Sequence, residues 1–430
     1  MAETIDPRVR AAALRARVRK ALLAGEDPSV LSAIGDLRRA ALASDDPEDA
    51  VLARHLDDLP RRVAFSWLEE VRGQPLLEAQ AVAGVARWLG PPETWAPQLK
   101  RALSQDAAHL VLVLTWQCET RCTYCAIPKQ AGRVMGPGTV DAGVDLLLSA
   151  DAERLELRFF GGEPLMEWDL IQRAIRRGCA RSDGRDLSFV ITSNGWALTP
   201  ERLRWLAPWP VRLQVALEGS RKAQNRFRPS VEPGLDSYDH SIAPHAALLR
   251  ELGLAHDLIW VVGPASARDM GDNLQHLIDL GFPRIQLNWA HNQLWGPAAR
   301  QAFADGLHQV AGMLRARWAR GRGPWLVNLG ETLARIRTFR EPTVDHDGTV
   351  FANNAFLYRP QEREALRLGH LDDRACLDRY RMDGLSDARL LAHSFPETVS
   401  RNNASVGAVL NSFVRWMASE GLPDPGTLRA

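Results

Sequence analysis

Six short β-rich apolar runs alternate with amphipathic helical stretches between about residues 108 and 320, and this alternation constrains the 430-residue chain more than any other feature. The runs lie at 109–116, 155–160, 187–192, 211–217, 258–262 and 285–289. Helix-like segments at 140–150, 165–180, 240–252 and 270–280 fall between them, and 300–320 follows the last. Neighbouring parallel strands need a crossover, which a helix supplies, so the pattern argues for a parallel sheet. The predicted fold class is α/β. Six strand–helix units over 106–320 make a partial (β/α)6 TIM-like barrel, whose reactive loops follow the C-terminal ends of the strands.

The flanks differ from this core. Residues 1–105 are rich in Ala, Leu and Arg and are broken by Pro28, Pro47, Pro60, Pro75, Pro91 and Pro92. That pattern predicts an all-helical N-terminal region of short amphipathic helices, with Trp67, Trp88 and Trp95 as packing residues. Residues 321–430 form a third region, small and α+β. Its segment 343–358, TVDHDGTVFANNAFLY, reads as a hairpin with Asp347 and Gly348 in the turn, and a charged stretch and two helices follow. Lys plus Arg (53) balance Asp plus Glu (52), so charge gives no reason to expect a nucleic-acid or membrane partner. The start MAETIDPRVR carries no apolar signal core, and no stretch approaches the roughly 20 apolar residues of a membrane helix. A cytoplasmic location is the expectation.

Three of the five cysteines lie within eight residues, as Cys118-Glu119-Thr120-Arg121-Cys122-Thr123-Tyr124-Cys125, directly after the first predicted strand. So tight a group points to metal or redox chemistry rather than to disulfide pairing. Thiolates are the usual ligands of iron–sulfur clusters. A four-iron cluster has four corners, and three thiolates would leave one iron open. Structural zinc is the rival reading, but it wants a fourth Cys or His at ligand spacing. The nearest histidines are His109 and His240. Three inert buried cysteines are the other alternative.

C-x3-C-x2-C after a first strand resembles the signature of the radical S-adenosylmethionine (SAM) superfamily, including the aromatic Tyr124 before the last cysteine. Phe159-Phe160-Gly161-Gly162-Glu163-Pro164 ends the second run and resembles that family's GGE motif, which binds the cofactor's amino group; Gly161 follows Cys125 by 36 residues. Ile191-Thr192-Ser193-Asn194-Gly195 resembles the T-x-N-G turn of peptide- and protein-modifying members. Val215-Ala216-Leu217-Glu218-Gly219 stands where relatives read S-L-D-G. There Ala216 replaces the serine that contacts the ribose and Glu218 replaces Asp, while Arg228 keeps its place near the cofactor carboxylate. The resemblance implies one [4Fe–4S] cluster on Cys118, Cys122 and Cys125. It also implies SAM held by Tyr124, Gly161, Gly162, Glu163, Asn194 and Arg228.

Relatives of this kind often carry a cysteine-rich C-terminal SPASM or shorter twitch domain, patterned I-D-x-D-G-x-V-Y-P-C-D-x-Y and then L-G-N-I. This chain keeps the frame in Val344-Asp345-His346-Asp347-Gly348-Thr349-Val350-Phe351-Ala352-Asn353-Asn354 and Leu368-Gly369-His370-Leu371. Asn353 stands at the cluster cysteine and Asn354 at the base-like aspartate of anaerobic sulfatase-maturating enzymes. The expectation is a degenerate twitch-like domain without an auxiliary cluster, and an amide cannot serve as a carboxylate base.

Radical SAM chemistry would then proceed with an electron from flavodoxin or ferredoxin and a 5′-deoxyadenosyl radical that abstracts hydrogen from substrate. The leading substrate is a ribosomally synthesised peptide, undergoing cross-linking, epimerisation or similar maturation. The alternatives are a small molecule in cofactor or secondary-metabolite synthesis, and a non-catalytic iron–sulfur binding protein. Cys376 is the candidate hydrogen donor, and Cys179 is read as structural. Trp289, His291, Asn292, Trp295 and Asn354 are the candidate substrate-pocket residues.

Overall fold

The computed structural model describes residues 107–330, 342–373 and 397–423, together with 428 and apart from 151, 153, 292, 352, 359, 361 and 362. The helical expectation for 1–105 and the candidate donor Cys376 lie outside these residues.

Among the described residues ten strands form one sheet. They are β1 (Ala107–Thr115), β2 (Arg154–Gly161), β3 (Asp186–Ser193), β4 (Val211–Ala216), β5 (Ala255–Val262), β6 (Arg284–Trp289), β7 (Trp325–Leu326), β8 (Thr343–Val344), β9 (Thr349–Phe351) and β10 (Arg367–His370). Their spatial order is β10-β9-β8-β1-β2-β3-β4-β5-β6-β7. Neighbours from β1 to β7 are parallel, and β8 adds to the free side of β1 in parallel register, Val111 beside Thr343. The fold is thus mixed α/β with a large parallel sheet, and among the described residues no closed barrel forms.

Among the described residues the α-helices of six residues or more are α1 (Pro137–Leu148), α2 (Trp168–Arg181), α3 (Pro200–Leu206), α4 (Arg221–Phe227), α5 (Ala246–Glu251), α6 (Met270–Asp279), α7 (Pro297–Trp318) and α8 (Glu397–Ser419). Local chemistry starts several of them. Thr199 caps α3 by accepting from Arg202 N at 3.3 Å with Pro200 at the first helical position, and Ser220 caps α4 by accepting from Ala223 N at 3.3 Å. On α2 the buried residues Leu170, Ile171, Ala174, Ile175 and Gly178 make one stripe toward the sheet. Gly178 lets the helix lie close: a Cβ there would sit 2.9 Å from the Phe189 ring.

Side-chain alternation sorts each strand into two faces. Leu155, Leu157 and Phe159 of β2 join the hydrophobic core under the helices, while Glu156 and Arg158 occupy the other face. Each fully buried Leu or Phe contributes roughly 1.5–3 kcal/mol, so the helix-side layer carries most of the stability. On the opposite face Glu156 accepts from Arg158 Nε at 2.5 Å and lies 3.2 Å from His109 Nδ1. Burial opposes the Glu156 charge, yet the hydrogen bond from His109 and the Arg158 guanidinium hold its carboxyl down to about 2. Its folded value lies below the ordinary 4.5, so this stabilisation is present above about pH 4.5 and lost as pH falls through 2. Glu156→Gln is therefore expected to melt lower at pH 7 and to show a flatter acid limb between pH 4.5 and 2. An unchanged acid limb by circular dichroism would refute the assignment.

The C-terminal hairpin forms as expected, β8 with β9, and its turn needs Gly348 at φ +86°. It is anchored to the first strand's end, for Trp116 Nε1 donates to the fully buried Asp345 Oδ1 at 2.7 Å. Helix α8 packs on α7 through Trp416, whose ring lies 5.3 Å from that of His308 and under the Arg315 guanidinium. Among the described residues no helix is long and apolar enough to cross a membrane.

Candidate active site at the strand ends

The cysteine, Gly-Gly-Glu, Ser-Asn-Gly and Glu-Gly motifs each lie where a strand of the sheet ends, and the backbone ties the first two together. Gly162 N donates to Thr115 O at 2.8 Å and Glu163 N to Gln117 O at 2.7 Å, so the turn after β2 is pressed against the start of the cysteine loop. Both glycines are demanded by this contact. A Cβ on Gly162 would lie 1.9 Å from Gln117 O, and Gly161, at φ +138°, would place one 2.2 Å from Thr115 O. The cysteine loop is held from the other side by the segment after α4. Arg121 N donates to Pro229 O, Thr123 N to Phe227 O, and Val231 N to Glu119 O, at 2.8, 2.9 and 2.8 Å.

Glu163 is buried and clamps two strand ends. Its carboxylate accepts from Leu165 N (3.0 Å), Ser193 Oγ (2.8 Å) and Asn194 N (2.7 Å). Burial, with Glu119 nearby, pushes its carboxyl up to about 7 against the pull of those three donors. Asn194 in turn points its amide at the cysteine loop, with Nδ2 at 3.6 Å from Cys118 Sγ and at 3.5 Å from both Glu119 Oε2 and Thr120 Oγ1.

All three cysteine sulfurs meet nitrogen donors. Cys118 faces the Asn194 amide, Cys122 faces Arg228 Nη1 at 3.6 Å, and Cys125 accepts from Lys129 Nζ at 3.3 Å. The Thr120 hydroxyl lies between Cys118 Sγ (3.3 Å) and Cys122 Sγ (3.5 Å). Among the described residues only Asp345, His346 and Asp347 bring three ligand atoms within 4.8 Å of one another.

Behind Cys122 lies a buried trio. Tyr124 Oη donates to Glu218 Oε1 at 2.5 Å, and Arg228 Nε donates to the same oxygen at 2.6 Å. Arg228 therefore directs its charge at Glu218. The other carboxylate oxygen, Glu218 Oε2, is buried with no hydrogen-bond partner. Burial pushes the Tyr124 hydroxyl far up, so it stays protonated and donates. A cleft of about 220 Å³ opens beside this trio, lined by Thr123, Tyr124, Arg226, Phe227, Val261, Gly263, Ala265, Ser266 and Gln293. The sequence reading missed its 261–266 wall. An apolar strand end followed by Gly263 and Pro264 was the available signal.

Of the proposed substrate-pocket residues, Trp289 and His291 meet, at 4.4 Å between ring centroids. Trp295 is buried in the core against Phe303, at 5.2 Å between ring centroids, and donates to Ala290 O at 3.2 Å. Trp289 shares the helix-side face of Ile285 and Leu287, and its ring packs against Gly407 of α8. Trp295 is a correction, because core burial claims its indole, whereas Trp289 stays half-buried. His291 is exposed beside Trp289, Asn292 lies outside the described residues, and Asn354 is half-buried in a short helical turn. On the opposite face of β6, Gln286 donates to Asn288 at 3.2 Å, and Thr192 of β3 donates to Gln214 of β4 at 3.1 Å. Period-two alternation within each run would have found these inward polar side chains. Cys179, half-buried on α2, packs against the core, and burial pushes its thiol up. A second cleft, about 370 Å³, is lined by Trp116, Gln130, Arg133, His346, Asp347, Pro360 and Arg363. Asp345 beneath it is already engaged by Trp116, His346 and Arg363, so the Asp345–His346–Asp347 group is a hairpin anchor.

Residues 112–283 match the family model described as the Radical SAM superfamily. A PqqA peptide cyclase of Streptomyces rochei is 29% identical over 226 residues, 51% of this chain and 59% of that protein. A radical SAM cyclopropyl synthase, TigE, of Paramaledivibacter caminithermalis is 23% identical over 148 residues, 30% of each chain. The chain thus spans less than two thirds of the length of these curated relatives. Among solved structures, native anSMEcpe with bound AdoMet and Kp18Cys peptide superposes with a TM-score of 0.59 at 14% identity, over 73% of this chain and 99% of the other. At that identity the likeness speaks for the fold alone.

Proposed function

Because the chain carries a radical SAM domain, which makes it an enzyme whose domain implies an iron–sulfur cluster and SAM, we propose that Cys118, Cys122 and Cys125 hold a single [4Fe–4S] cluster and that the enzyme modifies a ribosomally synthesised peptide. The observation that carries the cluster assignment is the gathering of three thiols in one strand-end loop, each met by its own nitrogen donor. The orphaned Glu218 Oε2 supports the cofactor assignment, since a buried acceptor without a partner is costly. A SAM hydroxyl group donating there would supply the missing partner and would hold a ribose that Ala216, which has no hydroxyl of its own, cannot bind. When bound, the cluster and SAM supply reductive carbon–sulfur cleavage and a 5′-deoxyadenosyl radical that abstracts hydrogen.

The chain's own residues position and exclude. Glu163 locks the turns after β2 and β3, so that the carbonyls beside Gly161 and Gly162 and the amide of Asn194 stay fixed at the strand ends. Tyr124, Val261, Gly263 and Ala265 offer an apolar slot for a flat ring, and the protonated Tyr124 hydroxyl stays on Glu218 rather than in the slot. Thr192, Gln214, Gln286 and Asn288 give the inner face of the sheet neutral polar groups, which suit the amides of a peptide backbone. The peptide-modifying names among the relatives support this substrate class. Flavodoxin or ferredoxin is the proposed electron donor.

The test is anaerobic incubation of the reconstituted chain with dithionite, SAM and the short precursor peptides encoded beside its gene, read by mass spectrometry. The expected result is 5′-deoxyadenosine formed together with a mass or stereochemical change in one peptide. SAM cleavage that leaves every peptide intact but consumes a small metabolite would overturn the peptide assignment. No SAM cleavage by an intact, reduced cluster would point instead to a binding protein.

A further inference from the structure

The three thiols differ in the charge of what they meet. Cys118 is hydrogen-bonded by neutral groups, the Asn194 amide and the Thr120 hydroxyl, and feels the charge of Lys129 with that of Glu163 opposing it. Cys122 faces Arg228, whose charge is offset by Glu218 at 2.6 Å. Cys125 faces Lys129 Nζ at 3.3 Å, and among the described residues no carboxylate lies within ion-pair distance of that ammonium. Lys129 is half-buried on the loop that leaves the cysteine motif, so its charge is partly shielded from water. Among the described residues Lys129 thus places an uncompensated charge directly on a cysteine sulfur, whereas Arg121, the other cation of the loop without a carboxylate partner, donates to the carbonyls of Cys118 and Thr120. A cluster on three thiolates is anionic, and one more electron makes it more so. A hydrogen bond and an uncompensated positive charge at one sulfur favour the reduced state.

We propose that Lys129 sets the reduction potential of the cluster by donating to Cys125 Sγ, which rests on the cluster assignment made above. Arg228 makes a lesser contribution because Glu218 cancels its charge at the same site. The role for Lys129 is electronic: it eases the arrival of one electron from a low-potential donor, in vitro dithionite, and takes no part in hydrogen abstraction. Nothing in the cysteine spacing points to it, since Lys129 lies four residues beyond the motif.

The experiment is an electron-paramagnetic-resonance redox titration of the full reconstituted chain without SAM, for wild type, Lys129→Gln, Lys129→Met and Lys129→Arg. The neutral variants are expected to lower the reduction equilibrium constant about tenfold, which is about 59 mV for a one-electron couple. The arginine variant keeps the charge and is expected to stay within about threefold of wild type. Neutral variants that hold the wild-type iron and sulfide content and the wild-type midpoint would overturn the proposal, as would an arginine variant that falls as far as glutamine. If neither neutral variant holds a cluster, the arginine variant decides: a midpoint within about threefold supports the role of the charge, and a larger fall overturns it. A wild-type chain that takes up no iron and sulfide fails the cluster assignment itself, and the role of Lys129 falls with it.

Discussion

Cys122→Ala is expected to form no 5′-deoxyadenosine above background when incubated anaerobically with iron, sulfide, dithionite and SAM, a loss on the order of 10⁴-fold or more. Cys122 is the informative one of the three thiols because its loop is held independently of its sulfur. Arg121 N and Thr123 N, on either side, are bonded to Pro229 O and Phe227 O. The loop therefore keeps its course with alanine in place, and the loss is of a ligand rather than of a fold. Far-ultraviolet circular dichroism and the melting temperature of the metal-free chain should match wild type, while iron content drops. The same loop in Cys125→Ala would leave Lys129 without its sulfur, so the two variants should also differ in residual iron. Wild-type turnover by Cys122→Ala would remove this cysteine from the cluster.

Gly162→Ala is the second large effect, and it acts through packing. The added methyl would meet Gln117 O at 1.9 Å and Gln117 C at 2.6 Å. Both are backbone atoms, and Glu163 N is hydrogen-bonded to that same oxygen at 2.7 Å, so neither side can yield without breaking the tie between β2 and the cysteine loop. A destabilisation of about 4 kcal/mol or more is expected, in the range reached by severe strain and overpacking. Cluster uptake should fall with it, because the loop that bears the cysteines starts at Gln117. The control is Gly138→Ala within α1, where a Cβ meets nothing within 4 Å. There alanine should stabilise by roughly 0.5–1 kcal/mol. Equal melting temperatures for the two variants would refute the packing account.

Six strands and most of the crossover helices were legible because each is a continuous apolar run or a one-sided stripe several turns long. Helices α3 and α4 were not, since seven residues are too few for a clear period, and their capping residues Thr199 and Ser220 were the better signal. Strand β7, two residues long, is recognisable only from its pairing with β6. Trp289 and Trp295 looked like pocket residues because a loop beside a strand end is where ligands bind. Apolar area took Trp295 into the core, and strand parity turned Trp289, half-buried, toward the helix side.

Local sequence determined the cysteine loop, the double glycine and the hairpin turn, because each rests on backbone geometry or ligand spacing within a few residues. Tertiary structure alone decided which charges meet. Trp116 and Asp345 join across 229 positions, and Tyr124 and Glu218 across 94. Arg228 is offset by Glu218 while Lys129 is left uncompensated, and no one-dimensional pattern records that difference. Electrostatic effects depend on distance and desolvation in three dimensions, and those arise only once the strand ends are gathered at one edge of the sheet.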